Sequence, residues 1–230
     1  MTALSTTANA QDVRYSWLDL SFMSQDVDRM GTQQVPTIPP QTVDVDAGDG
    51  NGVRFRFSFG TWHNLYIFTD YGSTDIDVGA LVSSPSLPEP VPSAPDVFDY
   101  TTIRGGVGIR IPVGFKTDIY GEVSYDSLDF DFGRFTGDAQ NFDNFDVDAQ
   151  DVGGTIGIRA MLNDDFEVRA YGRYTAVGNV DLNTQVFEED TLYGAGFGWR
   201  IVRGLSIVAD YEAGEFSSWS VGFRLDLDED

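Results

Sequence analysis

A chain of 230 residues suits one all-β domain, and its formal charge of −23, from 37 acids against 14 bases, sets it against nucleic acid, whose phosphates it would repel. The absence of cysteine excludes disulfides and thiolate metal sites, and a single histidine leaves little for acid–base catalysis. Lys116 is the only lysine, although soluble surfaces use that residue freely.

Residues 1–10 end in the small-x-small junction Ala8-Asn9-Ala10 and read as the tail of a secretory signal or a disordered terminus. Residues 11–230 read as one domain. Period-two alternation recurs along it with almost no helical periodicity, over about 13–23, 52–60, 64–73, 99–112, 116–129, 150–162, 165–177, 190–202, 205–213 and 217–227. That gives about ten strands, with eight as the alternative. Tight turns fall at 60–63, 112–115, 163–165 and 202–204. Between them come long loops, about 25–51, 74–98, 130–149 and 178–189, and one brief link near 214–216. Two of the long loops are rich in proline ("QVPTIPPQT", "SPSLPEPVPSAPD") and a third is acidic ("GDAQNFDNFDVDAQD"). In an up-and-down meander this alternation puts every tight turn at one end and every large loop at the other. Short periplasmic turns with long outer loops are the habit of outer-membrane barrels.

Parity along each strand separates two faces. One is apolar: Leu18, Leu20, Phe22; Val53, Phe55, Phe57, Phe59; Ile103, Val107, Ile109, Ile111; Ile156, Ile158, Leu162; Phe197, Trp199, Ile201; Trp219, Val221, Phe223, Leu225. The segment "LYIFTDY" leaves its parity open. The opposite faces collect Arg54, Arg56, Arg104, Arg110, Arg159, Arg169, Arg173, Arg200 and Arg224, matched by Asp19, Asp70, Asp118, Glu122, Asp126, Glu167, Asp210, Glu212 and Asp226.

A soluble barrel would turn the apolar face inward; a membrane barrel would turn it toward lipid and fill the lumen with the charges. The balance of the charged faces favours the second, since an unpaired charge in a crowded lumen is costly while balance on a wet surface is optional. Aromatics also sort by height. Tyr71, Tyr125, Tyr174, Tyr193, Tyr211 and Trp219 fall near the loop end of their strands, and Phe59, Trp62, Phe115, Phe166 and Trp199 near the turn end. Two such belts around an aliphatic band are what two membrane interfaces select. Glycines between the charges leave room for long side chains.

The small-x-small junction followed by "YSWLDLSF", the hairpins "GGVGIRIPVGFKTDIYGEVSYD" and "YGAGFGWRIVRGLSIVADYE", and the closing "SWSVGFRLDL" resemble the small outer-membrane β-barrel proteins of Gram-negative bacteria, of the OmpA/OmpX-like kind. The resemblance covers roughly residues 12–227 and lies in pattern. It implies a closed antiparallel up-and-down barrel, insertion by the barrel-assembly machinery, contact with outer-membrane lipid and lipopolysaccharide, and a monomer. Two features depart from it. The strand count is about ten, and the chain closes on Asp228-Glu229-Asp230 where that family usually places an aromatic residue.

No catalytic set, cofactor site or metal site is assigned. His63 sits in a tight turn, away from where barrel enzymes place theirs. The run "VDVDAGDGNG" offers Asp44, Asp46 and Asp49, but Gly48 and Asp49 stand where an EF-hand needs a ligand and a glycine, so no calcium loop is expected. The acids of the loops, including Asp138, Asp143, Asp146, Asp148 and Asp151, admit at most weakly held Ca²⁺ or Mg²⁺. "GGVGIRI" has no following helix and is no phosphate loop. The expected function is a surface-interaction, adhesion or structural envelope role for a barrel with a charge-filled lumen and long acidic loops. A narrow small-solute channel and a soluble ligand-binding barrel are the alternatives, and enzymatic activity is not expected.

Overall fold

The computed structural model describes residues 15–27, 31–35, 41–61, 64–83, 91–92, 96–114, 116–132, 146–181, 186–214 and 216–227. Twelve strands follow one another: β1 (Trp17–Val27), β2 (Gly31–Val35), β3 (Gln41–Gly60), β4 (Leu65–Ser83), β5 (Val91–Pro92), β6 (Asp96–Pro112), β7 (Thr117–Phe132), β8 (Asp146–Met161), β9 (Phe166–Asp181), β10 (Val186–Val202), β11 (Leu205–Ala213) and β12 (Phe216–Asp226). Ten of them close into an antiparallel up-and-down barrel, in the order β1-β12-β11-β10-β9-β8-β7-β6-β4-β3 and back to β1. The seam joins β1 to β12 from Trp17↔Asp226 to Val27↔Phe216. The short β2 and β5 extend the wall by pairing with β3 and β4.

Closure pairs each of the ten ring strands on both sides, so the ring presents no open edge that hydrocarbon could not hydrogen-bond. Asn64 (φ 68°) and Gly204 (φ 79°) adopt the left-handed conformation that reverses the chain, and Thr61 N–H donates to the Leu65 carbonyl at 2.7 Å. Trp62, His63 and Phe115 lie outside the described residues, as do residues 1–10, Asp138 and Asp143.

The apolar face points out. Val123, Ile156 and Phe223 are 65, 68 and 57 % exposed, while Asp19, on the opposite parity, is fully buried. This inverts the soluble barrel. The segment left open resolves with Tyr66 buried inside and Leu65, Ile67 and Tyr71 outside. Outward aromatics from both expected belts (Tyr71, Tyr125, Tyr174, Tyr193, Tyr211 and Trp219; Phe59, Phe166 and Trp199) are all exposed. Directly opposite each other, Phe166 and Trp199 stack at 5.9 Å.

The strands run well past the expected ends. Most of what the sequence presents as loop at 41–51, 74–83, 146–149 and 178–181 is ladder, with Asp44, Asp46 and Asp49 on β3 and Asp146 and Asp148 on β8. The reason is that acids and glycines, which read as loop, crowd these stretches between their apolar residues, while backbone pairing continues. A water-exposed antiparallel ladder needs no apolar face to hold its hydrogen bonds.

Candidate functional site: the barrel lumen

The inner face of the wall is built from strands of two kinds. β6, β8 and β10 present glycines inward (Gly106 and Gly108; Gly153 and Gly157; Gly194, Gly196 and Gly198), and β4, β7, β9 and β11 present long side chains between them. Each glycine row is a low wall over which neighbours reach. Tyr66, Tyr120 and Tyr171 stand directly opposite Gly108, Gly157 and Gly194, and their rings cover them. A Cβ added at Gly108 or Gly194 would lie 2.2 or 2.1 Å from the ring carbon Cζ. Tyrosines take much of the room that the glycines leave for charged side chains, and inward Tyr66, Tyr120 and Tyr171 are residues that parity of charge alone does not single out.

Reaching over β10, Arg169 donates to Asp210 from Nε at 2.7 Å, and Tyr171 and Arg173 converge on Glu212 at 2.9 and 2.7 Å. Reaching over β6, Tyr66 donates to Glu122 at 3.0 Å, which also accepts from Arg104 at 2.8 Å. Arg104 crosses β7 to Thr155 as well, at 2.5 Å.

Two contacts cross the lumen itself. Arg56 on β3 bridges Asp19 on β1 (2.7 Å) and Asp210 on β11 (2.5 Å). Arg224 on β12 reaches Glu167 on β9 at 3.1 Å, and Arg159 meets the same carboxylate at 2.6 Å. Arg54 and Asp70 form a two-pronged pair at 2.8 and 2.5 Å, the planar fork that arginine alone provides. Asp118 lies 3.9 Å from Arg110. Arg200 stands apart from these clusters: at the turn end it donates to the Asp164 carbonyl at 2.9 Å.

Buried aromatic and apolar side chains flank the network on both sides. Toward the turns, Tyr15 and Trp17 are buried in the mouth. Tyr15 packs on Tyr66 at 4.7 Å with Arg159 and Arg110 over its ring at 5.0 and 5.2 Å, and Arg224 lies 4.3 Å over Trp17. Toward the other end, Met23, Ile76, Leu128, Val177 and Leu192 point inward and are buried. Parity by itself assigns apolar residues to lipid, and here the far end of the lumen takes them instead. Two cavities of about 80 Å³ remain, one on the Tyr15 side and one on the Leu128 side, with Arg54, Asp70, Arg104, Arg173 and Glu212 lining both. Each is room for a few waters, since one water needs roughly 10–15 Å³ on this measure.

At the turn end, outside the membrane-spanning wall, the Lys116 ammonium sits 2.6 Å from Asp164 and holds its carboxyl below the usual aspartate range. No group of three or more His, Asp or Glu with metal-binding geometry occurs among the described residues.

Among solved structures the chain is similar to the β domain of the Bordetella autotransporter BrkA (13 % identity, TM-score 0.48, 94 % of this chain and 100 % of that one). It is also similar to OprG from Pseudomonas aeruginosa (11 %, 0.46, 94 % and 97 %) and to the translocator domain of autotransporter NalP from Neisseria meningitidis (15 %, 0.46, 91 % and 88 %). No curated protein matches. The family model described as the outer membrane protein beta-barrel domain matches residues 1–200, a span that takes in β1 to β9 and all but the last two residues of β10, and β11 and β12 complete the ring. With lipid-facing apolar strands around a polar lumen, this chain belongs to the outer membrane protein beta-barrel family and is a protein of the bacterial outer membrane.

Proposed function

We propose that this protein is a closed-lumen barrel that works at the cell surface, through the wall and loops standing clear of the membrane. The observation that carries the reading is strand length. β3 has 20 residues, β4 has 19 and β6 to β10 have 16 or 17. Twenty residues at about 3.3 Å each, tilted by about 40°, rise roughly 50 Å, twice the apolar band of about 25 Å. A rigid polar palisade therefore projects past the bilayer, a platform for binding by loops. Its outward acids include Asp26, Asp49, Asp75, Asp99, Asp129 and Asp148, and Ca²⁺ or Mg²⁺ held diffusely between them and lipopolysaccharide would screen this rim.

In this reading the tight turns and both termini face the periplasm, the rim faces outward, the barrel-assembly machinery inserts the chain, and it stands as a monomer. Lys116, the sole lysine, reports the orientation. On intact cells an impermeant amine reagent should leave the Lys116 peptide unlabelled until the outer membrane is opened; labelling from outside reverses the assignment. The surface role is tested by attachment of cells to host-cell or abiotic surfaces with the rim intact or with residues 84–95 and 133–145 replaced by short turns. Equal attachment would refute it.

A narrow channel is the second reading, favoured by the two cavities that a single layer of side chains separates. Planar-bilayer recording distinguishes them. The closed reading expects at most rare, small conductance, and steady steps of porin size would end it.

A further inference from the structure

On three strands the alternation changes sense at the edge of the apolar band. Within the band β4, β6 and β7 turn charge inward and apolar groups outward: Asp70 beside Tyr71, Arg104 beside Ile103, Asp126 beside Tyr125. A few residues nearer the loop end, the same strands bury Ile76, Tyr100 and Leu128 and expose Asp75, Asp99 and Asp129. No bulge intervenes, since the β4–β6 and β6–β7 registers run unbroken through both stretches. The reversal is one of composition.

The inward apolar rows continue along the ladders. Val78, Ala80 and Val82 follow Ile76 at every second position of β4, and Ala47, Val45 and Val43 of β3 stand opposite them. Phe98 stands opposite both Ile76 and Phe132, and Phe130 opposite both Tyr100 and Val147. The intervening positions include Asp44, Asp46, Asp77, Asp131 and Asp146. Lipid selects apolar groups outside a barrel; water selects the reverse, which is the arrangement of a soluble ligand-binding barrel. Eight strands enclose a space that side chains fill or that holds one small ligand. Ten enclose more, and valine and alanine rows fill less of it than larger side chains would.

At the foot of these rows lies the Leu128-side chamber of about 80 Å³, where Met23, Leu128, Val177 and Leu192 meet Gln25, Thr102 and Thr175. Its three arginines and three carboxylates balance, and Arg54, Arg104 and Arg173 are each held by an acid. The floor therefore offers hydroxyl and amide groups to a neutral head and no surplus charge to an ion.

We propose that the loop-end half of the barrel is a calyx for a small neutral amphiphile, an apolar ring or short chain bearing one hydroxyl or amide. Its head sits among Gln25, Thr102 and Thr175, and its body lies against Leu128, Val177 and Leu192 and rises between the apolar rows. A cavity of about 150 Å³ takes benzene whole, so the chamber alone seats the head and part of the body.

The test is NMR of the purified protein in detergent micelles, labelled with ¹³C-methyl methionine and titrated with cyclohexanol. The Met23 methyl, in the chamber, should shift and saturate, while Met161, packed on the Tyr15 and Tyr66 cluster beyond the network, should stay still. Absence of a saturable Met23 shift overturns the proposal, as does parallel movement of both methyls, the mark of uptake by the micelle. Inositol, the same ring hydroxylated all round, and cyclohexanecarboxylate, charged at neutral pH, should each bind at least tenfold more weakly. Equal binding of either overturns it, the first by removing the role of the apolar rows and the second that of the neutral floor. Val177→Thr with Leu128→Gln should raise half-saturation at least fivefold, and an unchanged value counts against the site. Should that variant fail to assemble, the ligand series on the unmodified protein decides the matter. Equal attachment of cells without the loops, or steady conductance, would defeat the surface or closed-lumen reading without altering these outcomes.

Discussion

Gly194 and Gly198 lie four residues apart on the inner face of β10 and are not equivalent. At Gly194 a methyl group would enter the Tyr171 ring, whereas at Gly198 it would meet Glu167 Cβ and Val208 Cγ1 at an ordinary 3.7 Å. Gly194→Ala should therefore lower folding stability by about 1–3 kcal/mol, the usual cost of overpacking, and Gly198→Ala should be close to neutral, as read from urea midpoints in micelles. Equal effects would mean that backbone freedom, and not ring contact, dictates the glycines. A second residue-scale prediction concerns Lys116 and Asp164. Because the folded Asp164 carboxyl is held below its ordinary value, its contribution is present above that value and fades as pH falls through the depressed one. Lys116→Gln should return the Asp164 titration upward, visible by carboxyl ¹³C NMR. The pair is exposed, so barrel stability should hardly change.

Among the strands, β11 has only nine residues yet holds an acceptor that ties distant strands together. Asp210 takes Arg56 from β3 and Arg169 from β9, binding together strands that share no ladder. Asp210→Asn keeps the shape but leaves two buried guanidiniums undercompensated, and it should cost about 3–5 kcal/mol in the same unfolding assay. Glu189→Gln on the exposed outer wall should cost almost nothing by comparison. Element by element, the sequence displays whatever lipid selects. Val53 to Phe59 and Trp219 to Leu225 announce their faces because one side must be apolar. It does not display β3 from 41 to 51, where acids and glycines read as loop although the backbone stays paired with β2 and β4. Nor does it display Leu128 or Val208 inside the lumen, since an inward apolar residue beside glycines looks like a break in parity. The partners of the inward charges were beyond reach for a different reason. Arg56 finds Asp210 at a separation of 154 residues, a contact set by barrel curvature and stagger and not by spacing along the chain.

For the molecule as a whole, inward charges nearly cancel, and the formal charge of −23 resides on the projecting wall, loops and ends. On the outer wall the ladders bring like charges face to face: Asp26 opposite Asp49, Asp75 opposite Asp99, and Asp129 opposite Asp148, all exposed. Such cross-strand pairs oppose folding, and mobile ions relieve them. Stability should accordingly rise with ionic strength, and more steeply with Mg²⁺ than with Na⁺ at equal ionic strength. A flat salt response would show that the rim carboxylates are neutralised by contacts within the chain. Asp75→Asn and Asp129→Asn together should flatten the curve, while the bilayer-embedded charges, sheltered from bulk ions, contribute little to it.

The β1–β12 seam has a kinetic meaning. Every other ladder of the ring joins segments that are neighbours along the polypeptide, whereas Trp17 must find Asp226 after the intervening chain is in place. Hairpins form early because closing a short loop loses little entropy, and a contact spanning almost the entire polypeptide comes last. The growing sheet thus carries two unsatisfied edges until its final step, and insertion and ring closure must coincide, since neither edge tolerates hydrocarbon. Weakening that single eleven-pair ladder would therefore chiefly speed the reopening of the finished barrel and leave the earlier hairpin steps untouched.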